Sequence, residues 1–329
     1  MSIRSFLRLS AHIQMLPVLE SGEETLVGGQ AVMEGVMMRA PHSYCVAVRK
    51  PNGEIVAEQK PVERVSEKYP LFKLPILRGL GTLGQAMTLG MRALQFSANV
   101  ALGEESAKNG GDQKPPELNG WMMAAPLAVS LLFFLFMYKF VPLFLATQLG
   151  HVVPSLHGRF AVNMMDGIIR LVLFLGFLTL ISRMKDIRRM FQYHGAEHKV
   201  VFNFESGQPV TVENAQKFVT FHPRCGTSFL LLVMVLAILI YPLLPFDGFA
   251  AKLVARIALL PLIVGVSYEL IRYAARHKEG LMAALTAPGL WLQRVTTQPP
   301  SDEQAGVAIH ALEGAMQLEE AQGGELVIA

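Results

Sequence analysis

The sequence predicts a mainly α-helical, polytopic membrane protein with about four transmembrane helices, an interfacial or re-entrant helix and a small N-terminal β-containing cytosolic layer. Three observations carry that expectation. Of the 329 residues, 52% are hydrophobic and only 17% charged, with a mean hydropathy of +0.37, too apolar for an ordinary soluble enzyme of this length. Four apolar stretches approach the roughly 20 residues that a bilayer core requires. Ahead of them lies a glycine-rich segment with strand-like alternation in place of helical periodicity. The net charge of +3 is small, and the basic residues sit mainly beside apolar runs, so the expected partner is the lipid bilayer and not nucleic acid. Cys45 and Cys225 lie far apart in unlike surroundings and read as reduced thiols.

Residues 1–70 are expected to form an N-terminal cytosolic segment. Its start carries Arg4 and Arg8 but no clean apolar core or small-residue cleavage site, which predicts an amphipathic lead-in and no signal peptide. GGQAVMEGVMMR at 28–39 is followed by alternation at 44–49 and 54–57 around Pro51-Asn52-Gly53, the composition of a hairpin or strand layer. Gln30, Glu34 and Arg39 are polar in apolar company there. They either line a site as substrate-contacting or supporting groups, or Glu34 and Arg39 form a structural ion pair.

Residues 71–103 hold a charge-free interval of 13 residues between Arg78 and Arg92, too short to span, so an interfacial or re-entrant element is expected. Residues 104–120 form a polar linker of Gly, Pro and charge. The membrane domain is expected over 121–276, with spans at about 121–148, 162–182, 227–246 and 252–275 and a motif loop at 183–226. Pro126 and Pro142 would kink the first span, and Lys139 would snorkel. Asp166 and Arg170, four apart, read as an ion pair. Glu269, near the end of the fourth span beside Tyr268 and Arg272, would reach the motif loop.

Orientation follows from loop charge. Arg183, Lys185, Arg188, Arg189, Lys199, Lys217 and Arg224 crowd the motif loop, against Arg159 alone between the first two spans, so the motif loop faces the cytoplasm and both termini do too. Lys252 and Arg256 at the opposite end of the fourth span are a mild contrary signal. Residues 277–329 are expected to be a cytosolic tail. It holds an amphipathic segment around Trp291 and a helix from about Asp302 to Leu318 with Val307, Ala308, Ala311, Leu312 and Ala315 along one side.

The chemistry concentrates in YHGAEHK, 193–199, and FHPRCGTS, 221–228. On a helix, His194 and His198 share one face with Glu197 between them. H-x-x-E-H is also the inverted form of a zinc-protease motif, with two ligating histidines and a glutamate base. The expected metal ligands are His194, His198 and His222, and the ion is divalent, zinc by ligand type. Glu197 would activate water. Cys225, at the start of the third span beside Arg224, would be a thiolate stabilised by the helix N-terminus, acting as a ligand or a nucleophile. Each ligating ring needs an acceptor for its second nitrogen, for which Glu34, Glu205 and Glu269 are candidates. Gly195 weakens the helix but permits close approach of a backbone or ligand.

GGQAVMEGVMMR, LPILRG at 74–79, YHGAEHK, FHPRCGTSFL, VGVSYELIR at 264–272 and PGLWLQRVTT at 288–297 together resemble the YqhQ-like family of bacterial membrane proteins, over roughly residues 25–312. The resemblance implies a domain of unknown function, described as a predicted metal-dependent enzyme, in the bacterial inner membrane. It carries over to Gln30, Glu34, Arg39, His194, Glu197, His198, His222 and Cys225. The leading expectation is a metal-dependent hydrolase with a cytoplasm-facing site. The alternatives are a non-catalytic membrane scaffold held by a structural His/Cys cluster, and a metal-free enzyme that uses Cys225 with His222. A metal transporter is disfavoured because the ligands lie in a loop and at span ends, away from mid-membrane.

Overall fold

A computed structural model of the chain describes residues 27–108, 120–276 and 281–322. The amphipathic lead-in, most of the polar linker at 104–120 and the end of the C-terminal tail lie outside the described residues.

Strands β1 (Gly28–Val32), β2 (Gly35–Arg39), β3 (Ser43–Arg49) and β4 (Ile55–Pro61) form an antiparallel sheet in the order β1-β2-β3-β4. Val32 pairs with Gly35, so Met33 and Glu34 make the first turn, Glu34 at φ 54. The helices are α1 (Val65–Lys68), α2 (Leu77–Lys108), α3 (Gly120–Leu135), α4 (Val141–Val152), α5 (Arg159–Ile181), α6 (Lys185–Glu205), α7 (Val212–Lys217), α8 (Gly226–Ile240), α9 (Phe249–Ala258), α10 (Leu260–Arg276), α11 (Leu281–Thr296) and α12 (Asp302–Ala321).

The central strands read as nearly unbroken apolar runs because both of their faces are covered. Val36, Met38, Cys45 and Ala47 pack with Tyr193, Ala196 and Val200 of α6 and with Val307, Ala308, Ala311, Leu312 and Ala315 of α12. Met37, Tyr44, Val46 and Val48 turn the other way, onto Leu89 and Ala93 of α2. β4, at the sheet edge, alternates exposed and half-buried residues. Ser301 starts α12 through a capping box with Gln304.

Among the described residues, three helices are long and apolar enough to cross a membrane, Ala128–Val152, Arg159–Ile181 and Gly226–Leu243; Phe249–Ala258 with Leu260–Ala274, bent by 43°, makes a fourth if that pair is one span. The first contains a π-helical turn, Phe136–Phe140, ahead of Pro142. Pro142 has no N–H to return to the carbonyl of Tyr138, and Arg170 Nε donates to that carbonyl instead, at 3.0 Å. Pro261 breaks the ladder in the same way just after Leu259, where α9 and α10 bend apart.

Two local expectations are corrected. Lys139 does not snorkel: it is buried, and its Nζ donates to Tyr241 Oη at 3.0 Å, a partner from another helix that removes the need to reach water. The expected motif loop at 183–226 is largely helical: Met184 takes an extended conformation after the second span, and α6 starts afresh at Lys185.

Candidate metal centre

The inner half of α6, Tyr193 and Gly195–Asn203, is buried. One turn of this helix separates His194 from His198, whose ring centroids stand 4.5 Å apart. Backbone carbonyls orient both rings. His194 Nδ1 lies 2.7 Å from the carbonyl of Thr296 at the end of α11, and His198 Nδ1 lies 2.5 Å from the carbonyl of Thr220, in the segment before α8. A carbonyl can only accept, so each Nδ1 carries the hydrogen, and the nitrogen left to offer a lone pair is Nε2. Those atoms meet the thiol of Cys225, which caps α8. Cys225 Sγ is 3.3 Å from His194 Nε2, and one donor atom each from His194, His198 and Cys225 lie within 4.8 Å of one another.

Gly195 is the residue that lets this assembly close. Gln298 N donates to the carbonyl of Phe191 at 2.9 Å, and a Cβ on Gly195 would stand 2.1 Å from Gln298 O. The segment after α11 therefore lies directly on α6 and brings Thr296 to His194. Gly29 of β1 has a similar part: its N–H donates to the Glu197 carboxyl, and a Cβ there would meet Glu197 Cγ at 2.6 Å.

Glu197 is buried, with Oε2 3.5 Å from His198 Nε2 and 4.0 Å from His194 Nε2. Burial pushes its carboxyl up to about 7, against the opposing pull of His194 and of the Gly29 N–H. The group is thus poised between its protonated and ionised forms near neutrality.

His222 faces away from the donor group. Gln293 holds its backbone on both sides, accepting from His222 N at 2.7 Å and donating to its carbonyl at 2.8 Å. Its Nδ1 accepts the Arg224 backbone N–H at 3.3 Å, and its Nε2 lies 3.5 Å from Glu205 Oε2. Burial lowers the imidazole to about 4 in spite of Glu205, so the ring is neutral. Burial would raise Glu205, but the adjacent His222 Nε2 and the charge of Arg224 hold it below the usual carboxylate range. Arg224 pairs with Glu205. The His222 ring packs 5.6 Å from the His198 ring and so braces it.

The remaining expected residues lie elsewhere. Gln30 sits against α2, where a Cβ on Gly90 would lie 2.5 Å from its Oε1. Glu34 pairs with Arg189, Nη2 to Oε2 at 2.6 Å, and Arg39 donates to Gln85 Oε1 at 2.8 Å. The expected Glu34–Arg39 pair does not form, since five residues of strand separate them by about 16 Å. Glu269 pairs with Arg78 and accepts the Ile76 N–H at 3.1 Å, which keeps it from the histidines. Carbonyls of Thr220 and Thr296 take the supporting role considered for Glu34, Glu205 and Glu269. A backbone carbonyl carries no residue signature, so this role had no sequence signal. Gln293 did have one, as a lone amide in the apolar run WLQRV; it is fully buried and also donates to Ser228 Oγ at 2.8 Å.

The family model described as Protein of unknown function (DUF1385) matches residues 74–318. The chain belongs to this family. The match takes in all five residues of the two motifs, His194, Glu197, His198, His222 and Cys225, whereas Gln30, Glu34 and Arg39 precede it. A relative is the uncharacterized protein YqhQ of Bacillus subtilis (strain 168), 36% identical over 298 residues that cover 89% of this chain and 92% of the relative. The resemblance read from the motifs is therefore shown at the level of the family. No solved structure matches.

Proposed function

We propose that this protein is a membrane-embedded, metal-dependent hydrolase in which His194, His198 and Cys225 hold a divalent ion, zinc by donor type. The observation that carries the reading is the pair of carbonyl-held Nδ1 atoms, which commits two Nε2 lone pairs and a thiol to one small volume. The donors fit the ion: bonds of about 2.1 Å to nitrogen and 2.3 Å to sulfur place tetrahedral ligand atoms roughly 3.4–3.7 Å apart, so these donors need draw in by only about 1 Å. Three protein donors also leave a fourth position for water or substrate. A divalent ion there would supply Lewis-acid chemistry. Glu197, beside His198 Nε2, is placed to take a proton from an attacking water and return it to the leaving group. Loop charge supports a centre on the cytoplasmic side of the bacterial inner membrane, with both termini cytoplasmic.

The 3.3 Å contact of Cys225 Sγ with His194 Nε2 favours a second reading, a metal-free thiol enzyme. Elemental analysis of detergent-purified protein separates the two. Near-stoichiometric transition metal is expected in wild type and Glu197→Gln, and little in His198→Ala and Cys225→Ala. Folded wild type that carries no metal when purified without chelators would move the assignment to the thiol. Hydrolysis of ester, phosphodiester or peptide probes that survives in Glu197→Gln would remove Glu197 from the proton-transfer role.

A further inference from the structure

A second group of ionisable side chains lies inside the spanning helices. Lys139 of the first span, Asp166 and Arg170 of α5 and Arg256 of α9 converge around Tyr241, which follows the C-terminal end of α8. The metal centre is at the other end of that helix, about 24 Å away by helical rise. Lys139 Nζ, Arg170 Cζ and Arg256 Cζ stand 5.3, 5.1 and 5.2 Å from the Tyr241 ring centroid. None of the four charged residues is more than 6% exposed.

Their partners account for only part of what they carry. Asp166 pairs with Arg170 Nη2, and its Oδ1 is 2.9 Å from Arg256 Nη1 without the alignment of a hydrogen bond. Asn163 Oδ1 accepts from Arg256 Nη2 at 2.6 Å, Tyr138 O accepts from Arg170 Nε, and Tyr241 Oη, which accepts from Lys139, donates to the carbonyl of Arg256 at 3.2 Å. Two imbalances remain among the described residues. The cluster brings together three cationic side chains and one carboxylate, and even an uncharged Lys139 leaves two guanidiniums for one Asp166. In addition, Arg170 Nη1, Arg256 Nε and Arg256 Nη1 are buried and make no hydrogen bond. Stacking on an aromatic face compensates a cation weakly and accepts none of these in-plane hydrogens.

Charges within spans are rare and pair with one another or mark a path or site for a substrate or ion. Arg256 also sits on the helix pair bent by 43°, and broken helices at membrane depth occur where they are buried in protein or line a cavity. We propose that this cluster is an anion site, in which Arg170 and Arg256 take a phosphate-type oxyanion from a phospholipid headgroup or from free phosphate. Planar guanidinium N–H groups match the oxygens of such an anion. The site is independent of the metal centre and of the hydrolase reading.

The test uses the full chain, delipidated in non-ionic detergent and held in chloride buffer. Thermal unfolding is followed during titration with inorganic phosphate, with phosphatidylglycerol in mixed micelles, with phosphate-free diacylglycerol, and with chloride at matched ionic strength. A saturable rise of several degrees with a phosphate-bearing probe, absent with diacylglycerol and chloride, is expected. A response to inorganic phosphate assigns the free anion; a response to phosphatidylglycerol alone assigns the lipid. Arg256→Gln should weaken the responding probe at least tenfold. Asp166→Asn keeps all three cations and removes the competing carboxylate, so it should bind the probe several-fold more tightly. No saturable shift in wild type with either probe, an unchanged affinity in Arg256→Gln, or an unchanged or weaker affinity in Asp166→Asn would each overturn the proposal. If neither variant folds, the wild-type titrations decide.

Discussion

The two polar clusters at the ends of α8 use opposite halves of hydrogen-bond chemistry. At the Cys225 end, the carbonyls of Thr220 and Thr296 take up the ring hydrogens of His198 and His194, and what remains directed inward is lone pairs and a thiol. At the Tyr241 end, Tyr138 O, Asn163 and Asp166 take some of the guanidinium hydrogens, and what remains is buried N–H groups. The first arrangement suits a cation and the second an anion. Residue type alone does not decide this. The supporting atoms do, because they determine which valences of a side chain are left over.

The largest effect that can test this contrast is at Asp166. Asp166→Asn leaves the guanidiniums without a carboxylate and should cost about 3–5 kcal/mol of stability, read from denaturant or detergent-induced unfolding, with metal content unchanged. Chelation acts on the other cluster. At free metal a hundredfold above its dissociation constant, stripping the ion should remove about 2.7 kcal/mol from wild type and from Arg256→Gln alike. A chelator effect that changes with Arg256 would mean that the two clusters are coupled.

Gly195→Ala sharpens the comparison from within the proposed metal centre. The added Cβ pushes on Gln298 O, and overpacking of this kind costs about 1–3 kcal/mol. Moving Thr296 away from His194 should also weaken metal binding about 10–100-fold, seen by competition with a chromophoric chelator, with no change at the anion cluster.

The smallest effect lies in the sheet layer, outside both clusters. Glu319 accepts His42 N at 2.9 Å and Ser43 Oγ at 2.8 Å. Burial would raise its carboxyl, but those bonds and the His42 ring hold it below the usual range. A depressed carboxylate contributes stability above its unfolded value, about 4.3, and loses it as pH falls through the lower folded value. Wild type should therefore exceed Glu319→Gln by about 1–2 kcal/mol at neutral pH, with the gap closing on acidification below about 4. A gap that persisted at acid pH would show that the carboxylate charge is not what holds α12 to the sheet.

Much of the site could be read from local order. A helix turns by a known angle per residue, so H-x-x-E-H places His194, Glu197 and His198 together before any tertiary contact forms. The same rule does not extend to FHPRC. His222 to Cys225 is not helical, so spacing gives no direction for either side chain; His222 was expected as a ligand, yet it turns to Glu205 while Cys225 joins the histidine pair. Gln293 was visible as an odd amide in an apolar run, but its task, holding both backbone groups of His222, required α11 to lie against that segment. Lys139 shows the limit for the spans. Hydropathy measures the length of an apolar run and cannot know that Tyr241 waits on another helix.

By itself, then, the sequence determined the membrane class from its apolar runs, the sheet from its glycine-rich alternating segment, the family from its motifs, and the paired histidines from helical period. Each of these is a property of neighbouring residues, set by backbone geometry or by transfer from water. Only the tertiary structure decided which atoms complete each cluster. Carbonyls, buried N–H groups and the close approaches permitted at Gly29 and Gly195 are contributed by segments far apart in the chain, and their position depends on packing that no local pattern encodes.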